Sequence, residues 1–176
     1  MIGKRLNFLG IVQNRAAAAG FVKAPGDAVL VERGRPRLLV LSCPCGCGEE
    51  LPINLDWRAG PAWRFYQHRR SGRSLFPSVW RETGCQSHFI IWRDRILVFG
   101  QAEEDLDIPS PTEEMKLFAD AVLERLPDSG LISFGEIADS LDEIPWDVLT
   151  ACRRLVRTGR AREGRGKQRG HFGRRF

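Results

Sequence analysis

The sequence has no apolar run near the roughly 18 residues that a membrane-spanning helix needs. The apolar stretch after the basic start Met1-Ile2-Gly3-Lys4-Arg5-Leu6 is broken by Gln13, Asn14 and Arg15, so it does not read as a secretory signal. An oxidising compartment is therefore not indicated, and disulfides are not the first expectation for the five cysteines. Acids are nearly missing from the C-terminal stretch. Residues 153–176 hold ten Arg or Lys and one acid, Glu163, while the other 152 residues hold 17 basic and 21 acidic side chains. The net charge of +5 thus combines a mildly acidic body with a strongly basic tail, an asymmetry that bears on partners rather than fold. With 43% hydrophobic and 28% charged residues, the 176-residue chain is globular in composition, one domain or one domain with a small appendage. A cytoplasmic protein without a membrane partner is the expectation.

Three of the cysteines fall within five residues, in Cys43-Pro44-Cys45-Gly46-Cys47-Gly48, and a fourth follows in Gly84-Cys85-Gln86-Ser87-His88. Thiolates are soft ligands, and structural zinc takes four N or S donors. Pro44, Gly46 and Gly48 suit a tight turn that gathers several sulfurs at one point. A metal site, zinc by preference, joining residues 43–47 to 85–88 is the leading reading. Cysteines two apart do not close a relaxed disulfide with each other, although a bridge to Cys85 is a rival, as are inert core thiols. His88 is ambiguous, because Cys85-x-x-His88 has a metal-ligand spacing, yet in a regular strand the two side chains point to opposite faces.

Ala16 to Ala19 suits a short helical turn. Ala28–Glu32 and Arg37–Ser42 read as a hairpin that delivers Cys43 at its end, and Glu49–Leu55 as a third strand. Residues 58–73 carry Trp63, Tyr66 and His68 with Arg64, Arg69, Arg70 and Arg73 and read as a loop or short helical insertion. Arginines beside aromatics can grip nucleic acid or simply lay their stems on the rings. Ser74–Arg81 and Gln86–Trp92 form an antiparallel pair around Glu82-Thr83-Gly84, read as a three-residue loop that sets Arg81 against Cys85 and Ser78 against His88. Arg95–Phe99 follows as a further strand. The fold class expected is α+β: a zinc-stabilised antiparallel β domain (1–100), an acidic linker (101–112) and a small helical domain (113–176).

In that last part a helix over 113–126, with Thr112 as its cap and Met115, Phe118, Val122 and Leu123 on one face, precedes a short strand at 131–133. Phe134–Leu141, capped by Ser133, and Pro145–Thr158, with Gly159 past its end, complete the helices. Residues 160–176 suit a β-wing. The segment ISFGEIADSLDEIPWDVLTACRRLVRTGRARE resembles winged helix-turn-helix domains, with Ile137, Leu141, Val148 and Leu155 as core and Cys152 on the apolar side. The resemblance implies a third helix for a major groove, with Arg153, Arg154, Arg157 and the tail on phosphates, so residues 145–176 are a candidate nucleic-acid contact. Many such domains bind only proteins.

If four thiolates hold the metal, His88 is free. A serine beside an imidazole begins a nucleophile and general-base pair. Ser78 and Ser87 are the candidates, and Asp56 is the acid to test as the third member. His68 and His171 read as surface and tail residues.

AVLVERGRPRLLVLSCPCGCGEELPINLD, followed by SLFPSVWRETGCQSHFIIWRDRI, resembles the bacterial BubE family, found beside genes for ubiquitin-like, E1-like and E2-like proteins. The paired signature is CPCGCG and then PS-x(6)-C-x-SHF, over about residues 25–100. The resemblance implies metal ligands at Cys43, Cys45, Cys47 and Cys85, and a serine-type peptidase that processes or removes a ubiquitin-like protein. Its implied partners are that protein or the E1- and E2-like proteins. The alternative is a non-enzymatic, zinc-stabilised module that binds nucleic acid or an operon partner through its C-terminal domain.

Overall fold

The computed structural model describes residues 4–68, 72–99 and 113–175. The chain divides into two compact units, Met1–Glu104 and Asp105–Phe176. The expected linker and the Thr112 cap lie outside the described residues.

The first unit is built on two sheets. In one, β2 (Asn7–Val12), β3 (Asp27–Glu32), β4 (Pro36–Ser42) and β5 (Glu50–Asn54) lie in that order. In the other, β1 (Lys4–Arg5) begins the order β1-β9-β8-β7-β6, with β6 at Arg64–His68, β7 at Gly72–Trp80, β8 at His88–Trp92 and β9 at Arg95–Val98. Inward side chains of both sheets share one core: Leu39, Leu41, Leu51 and Ile53 from the first, Leu75, Val79, Phe89, Ile91 and Ile96 from the second. Each such side chain contributes on the order of 2 kcal/mol by leaving water. The opposite face of the first sheet is covered in part by α1 (Arg15–Ala18), whose Ala18 packs with Val29, Val31 and Val40. Strand β3 is thus buried on both faces, which is why it reads as the unbroken apolar run Ala28–Val31.

The β3–β4 hairpin and β5 form as the sequence predicts. Three features differ. Residues 4–12 supply two strands that the short, mixed pattern conceals, and β2 pairs parallel to β3 through the α1 crossover, so the first unit is not wholly antiparallel. Within residues 58–73 the expected loop or helical insertion gives way, after a 3-10 turn at Trp57–Ala59, to strand β6, which pairs with β7 from Arg64 opposite Phe76 to His68 opposite Gly72. The arginines around it obscure an alternation in which Trp63 and Phe65 pack on the core. Two arginines of the stretch lie on rings, Arg58 over Trp57 at 5.4 Å and Arg73 over Phe8 at 4.0 Å.

The third difference is the β7–β8 register. Arg81 N–H donates to the Ser87 carbonyl at 3.0 Å, and Trp80 stands opposite His88. The connection therefore spans residues 82–86 rather than 82–84, and Ser78 is not the cross-strand partner of His88. The expected loop answered to Gly84 alone. The real one also brings Cys85 to the other thiols, with Gly84 at φ +71° and Gln86 at φ +52°.

In the second unit, α2 (Glu113–Arg125), β10 (Ile132–Ser133), α3 (Phe134–Leu141), α4 (Pro145–Arg157), β11 (Ala161–Glu163) and β12 (His171–Arg174) follow in order. The strands form an antiparallel sheet in the order β10-β12-β11. Ser133 and Glu136 form a reciprocal capping box on α3. Val122, Ile137, Val148, Cys152, Leu155 and Phe172 are buried together, with Leu141 half-buried against them. Burial pushes the Cys152 thiol up to about 12, consistent with an inert core residue. No described helix is long and apolar enough to cross a membrane.

Candidate functional site

Strand β4 ends at Ser42 and passes into the Cys43–Gly48 turn, closed by Gly46 N–H donating to the Cys43 carbonyl at 3.1 Å and Cys43 N–H to the Glu49 carbonyl at 2.8 Å. Gly46 and Gly48 take φ +90° and +80°, a region that favours glycine. The turn bends back so that Cys43, Cys45 and Cys47 meet Cys85 of the 82–86 loop. The four sulfurs all lie within 4.8 Å of one another, with Cys43–Cys45 at 3.3 Å and Cys43–Cys85 at 3.6 Å. Tetrahedral zinc with Zn–S bonds of about 2.3 Å sets its sulfurs roughly 3.8 Å apart, so the spacing fits an ion at the centre. It does not fit a disulfide, whose sulfurs are about 2.05 Å apart, and all five cysteines are free. These four residues could hold a metal ion.

The surroundings grade the thiols. Cys43 is fully buried, Cys45 and Cys85 half-buried, and Cys47 exposed. The hydroxyl and N–H of Ser87 pull the Cys85 thiol down to about 6, and burial pushes the Cys45 thiol up to about 12. Ser87 Oγ sits 3.3 Å from Cys85 Sγ and 3.4 Å from Cys43 Sγ, and Ser87 is buried. Two residues that sequence reasoning missed complete the ring. Arg81 Nη1 lies 3.4 Å from Cys85 Sγ and 3.9 Å from Cys47 Sγ, and it pairs with Glu49. Their only sequence signal is position, Glu49 two residues after Cys47 and Arg81 four before Cys85. Lys4 Nζ donates to the Pro44 carbonyl from the other side of the turn.

His88 stands apart from this cluster. Phe89 and Ile91 fill the core side of β8, so His88 projects from the outer face. There its ring lies between Trp80, 5.8 Å between centroids, and Phe99, 4.3 Å away. Trp80 is 69% exposed and Phe99 47%. Trp80 shares the face of His88, while half-buried Ser78 lies two residues earlier at the end of the irregular stretch of β7, with no hydrogen bond to His88 among the described residues. The Ser78 carbonyl accepts from Trp63 Nε1 at 3.2 Å, which fixes the irregular stretch of β7 between Leu75 and Val79.

Asp56 is engaged elsewhere. Its Oδ2 accepts from Arg35 at 3.1 Å and from Arg37, and its Oδ1 caps the 3-10 turn through Arg58 N–H at 3.2 Å. Burial opposes its charge, but Arg35, Arg58 N–H and Arg37 outweigh it and hold the carboxyl below the usual range. No contact joins Asp56 to His88 among the described residues. The structure thus gathers Ser87 with the thiols, leaves His88 and Ser78 on the neighbouring strands β8 and β7 apart from them, and pins Asp56 to two arginines.

No curated protein and no solved structure matches this chain. Residues 16–99, which contain all four clustered thiols and Ser78, Ser87, His88 and Asp56, match the family described as bacterial ubiquitination-like system serine protease (BubE). The similarity to the BubE family of a bacterial ubiquitination-like system thus lies wholly within the thiol-bearing first unit.

Proposed function

We propose that the first unit is a zinc-stabilised serine peptidase that cleaves a ubiquitin-like protein from a precursor or conjugate. The observation that carries this reading is the coincidence of the serine-protease family match with a histidine on an outer sheet face, a serine on the neighbouring strand, and a separate set of four thiols. Four thiolates fill a tetrahedral shell and leave no position for a reacting water, the pattern of structural zinc. Zinc, when bound, supplies the cross-link between the β4–β5 turn and the loop leading into His88.

Catalysis then falls to side chains. His88 takes the Ser78 Oγ proton as the oxygen attacks the scissile carbonyl carbon. The imidazolium returns a proton to the departing amine, and water attacks the acyl-serine by the same route in reverse. Backbone N–H groups are the donors available to the developing oxyanion. Ser87 is the less suitable nucleophile, because its buried hydroxyl faces two sulfurs. Asp56 is a structural ion-pair partner in this reading rather than the orienting acid. The test is cleavage of a ubiquitin-like fusion by wild type, Ser78→Ala and Ser87→Ala. Loss of cleavage in Ser78→Ala alone supports the assignment, and full activity in Ser78→Ala overturns it.

A second reading rests on the second unit. Arg153 and Arg157 at the end of α4, and Arg165, Lys167 and Arg169 around the β11–β12 turn, are exposed with no ion pair among the described residues. The element order and this basic edge support a winged-helix module that contacts nucleic-acid phosphates. Affinity should fall steeply with salt, and removal of residues 159–176 should abolish most of it. Salt-independent binding would count against it.

A further inference from the structure

We infer that Arg81 is a positioning residue of the thiol centre, holding the Cys47 and Cys85 sulfurs together against a neighbouring carboxylate. This rests on the metal reading above. The argument starts from charge. A divalent ion with four thiolates carries a net charge of about −2, and the sulfurs range from fully buried Cys43 to exposed Cys47. Surplus negative charge in such a place requires donors and cations close by. Glu49 makes the need sharper. In the thiol form Cys47 Sγ donates to Glu49 Oε2 at 3.7 Å. Glu49 thus places a carboxylate directly beside one of the four candidate ligand sulfurs.

Among the described residues, Arg81 Nη1 is the cation that reaches Glu49, Cys47 and Cys85 together. It pairs with Glu49 Oε2 and lies 3.9 Å from Cys47 Sγ and 3.4 Å from Cys85 Sγ. Its side chain is 14% exposed while Glu49 is 50% exposed and Cys47 exposed, so of its three contacts the one to Cys85 is the best shielded from water. The two sulfurs it reaches come from the β4–β5 turn and from the 82–86 loop, the two segments that the ion must join. Ser87 Oγ at Cys43 and Cys85, and Cys47 N–H at Cys45 Sγ (3.4 Å), are the other donors in the ring.

A merely structural Arg81–Glu49 ion pair and this role predict opposite signs, because deleting either partner breaks a pair equally. The experiment measures zinc affinity of the full chain by chelator competition for wild type, Arg81→Gln, Arg81→Lys and Glu49→Gln. Arg81→Gln is expected to weaken zinc about 10- to 100-fold, the usual effect of removing a group that supports a ligand. Arg81→Lys should recover part of that loss, and Glu49→Gln should leave affinity unchanged or tighten it. Arg81→Gln within twofold of wild type, or Glu49→Gln weakening zinc as much as Arg81→Gln does, overturns the inference. Wild type that takes up no zinc at all overturns the metal reading itself, a separate and distinguishable failure.

Discussion

Trp80 stands directly across the β7–β8 ladder from His88, with ring centroids 5.8 Å apart, and Phe99 closes on the other side of the imidazole at 4.3 Å. The two rings are largely exposed, so they hold the imidazole without burying it. Their truncation should therefore act on catalysis more than on stability. Phe99→Ala and Trp80→Ala are predicted to lower kcat/KM about 10- to 100-fold by loosening the base. Thermal melting should show little change. A pair of variants with full activity would remove the rings from the catalytic account.

In the zinc-stabilised reading proposed above, the thiol centre sets the stability of the first unit. Cys43→Ser or Cys85→Ser should abolish stoichiometric zinc binding and lower Tm steeply, since each kcal/mol lost is worth about 4–8 °C in a domain of this size. Mass spectrometry under native conditions and a melting curve check both. Variants that keep zinc and Tm would contradict the four-thiolate site.

Metal-stripped protein should reveal the graded thiols. Only thiolate reacts with an alkylating agent. Hydrogen bonds from Ser87 bring Cys85 down to about 6, so near pH 7 it is largely thiolate and should be labelled ahead of Cys45, which burial raises to about 12. The sign for stability follows. A depressed Cys85 stabilises the folded metal-free chain at pH above its unfolded value of 9.0, and that contribution is lost as pH falls through about 6. Peptide mapping after timed labelling checks the order, and Cys45 reacting first would contradict it.

Asp56→Ala tests the division between structure and chemistry. The substitution leaves Arg35 and Arg37 without their shared carboxylate and uncaps the 3-10 turn. Tm is predicted to fall while cleavage below the melting range persists. Abolished cleavage with unchanged Tm would return Asp56 to the role of orienting acid.

Ser87→Ala should weaken zinc binding and leave the cleavage rate of the zinc-saturated enzyme near wild type, because its hydroxyl serves sulfurs. Loss of cleavage at full zinc occupancy would make Ser87 the nucleophile instead.

What was legible in the chain follows from where each signal resides. The Cys43–Gly48 turn and Cys85 declared themselves because ligand chemistry fixes residue types, and the glycines fix the turn. The start of α3 was legible from Ser133, a local cap that the structure completes reciprocally with Glu136. Strand β6 was not, because the arginine-rich sequence around it obscures the inward pattern that Trp63 and Phe65 carry. The β7–β8 register was missed for a different reason. Local turn preference at Gly84 argues for a short loop, but the position of Cys85 is dictated by three sulfurs some forty residues earlier in the chain. That long-range demand shifts the ladder and exchanges Ser78 for Trp80 opposite His88. Arg81 and Glu49 were invisible as site residues because their role exists only once the two segments meet.

The most direct test is a single comparison of wild type and His88→Ala for zinc content, Tm and cleavage of a ubiquitin-like fusion. The account predicts that His88→Ala keeps its zinc and its melting temperature and loses cleavage. Wild-type cleavage by His88→Ala, or loss of zinc from it, would contradict the assignment of His88 as the base.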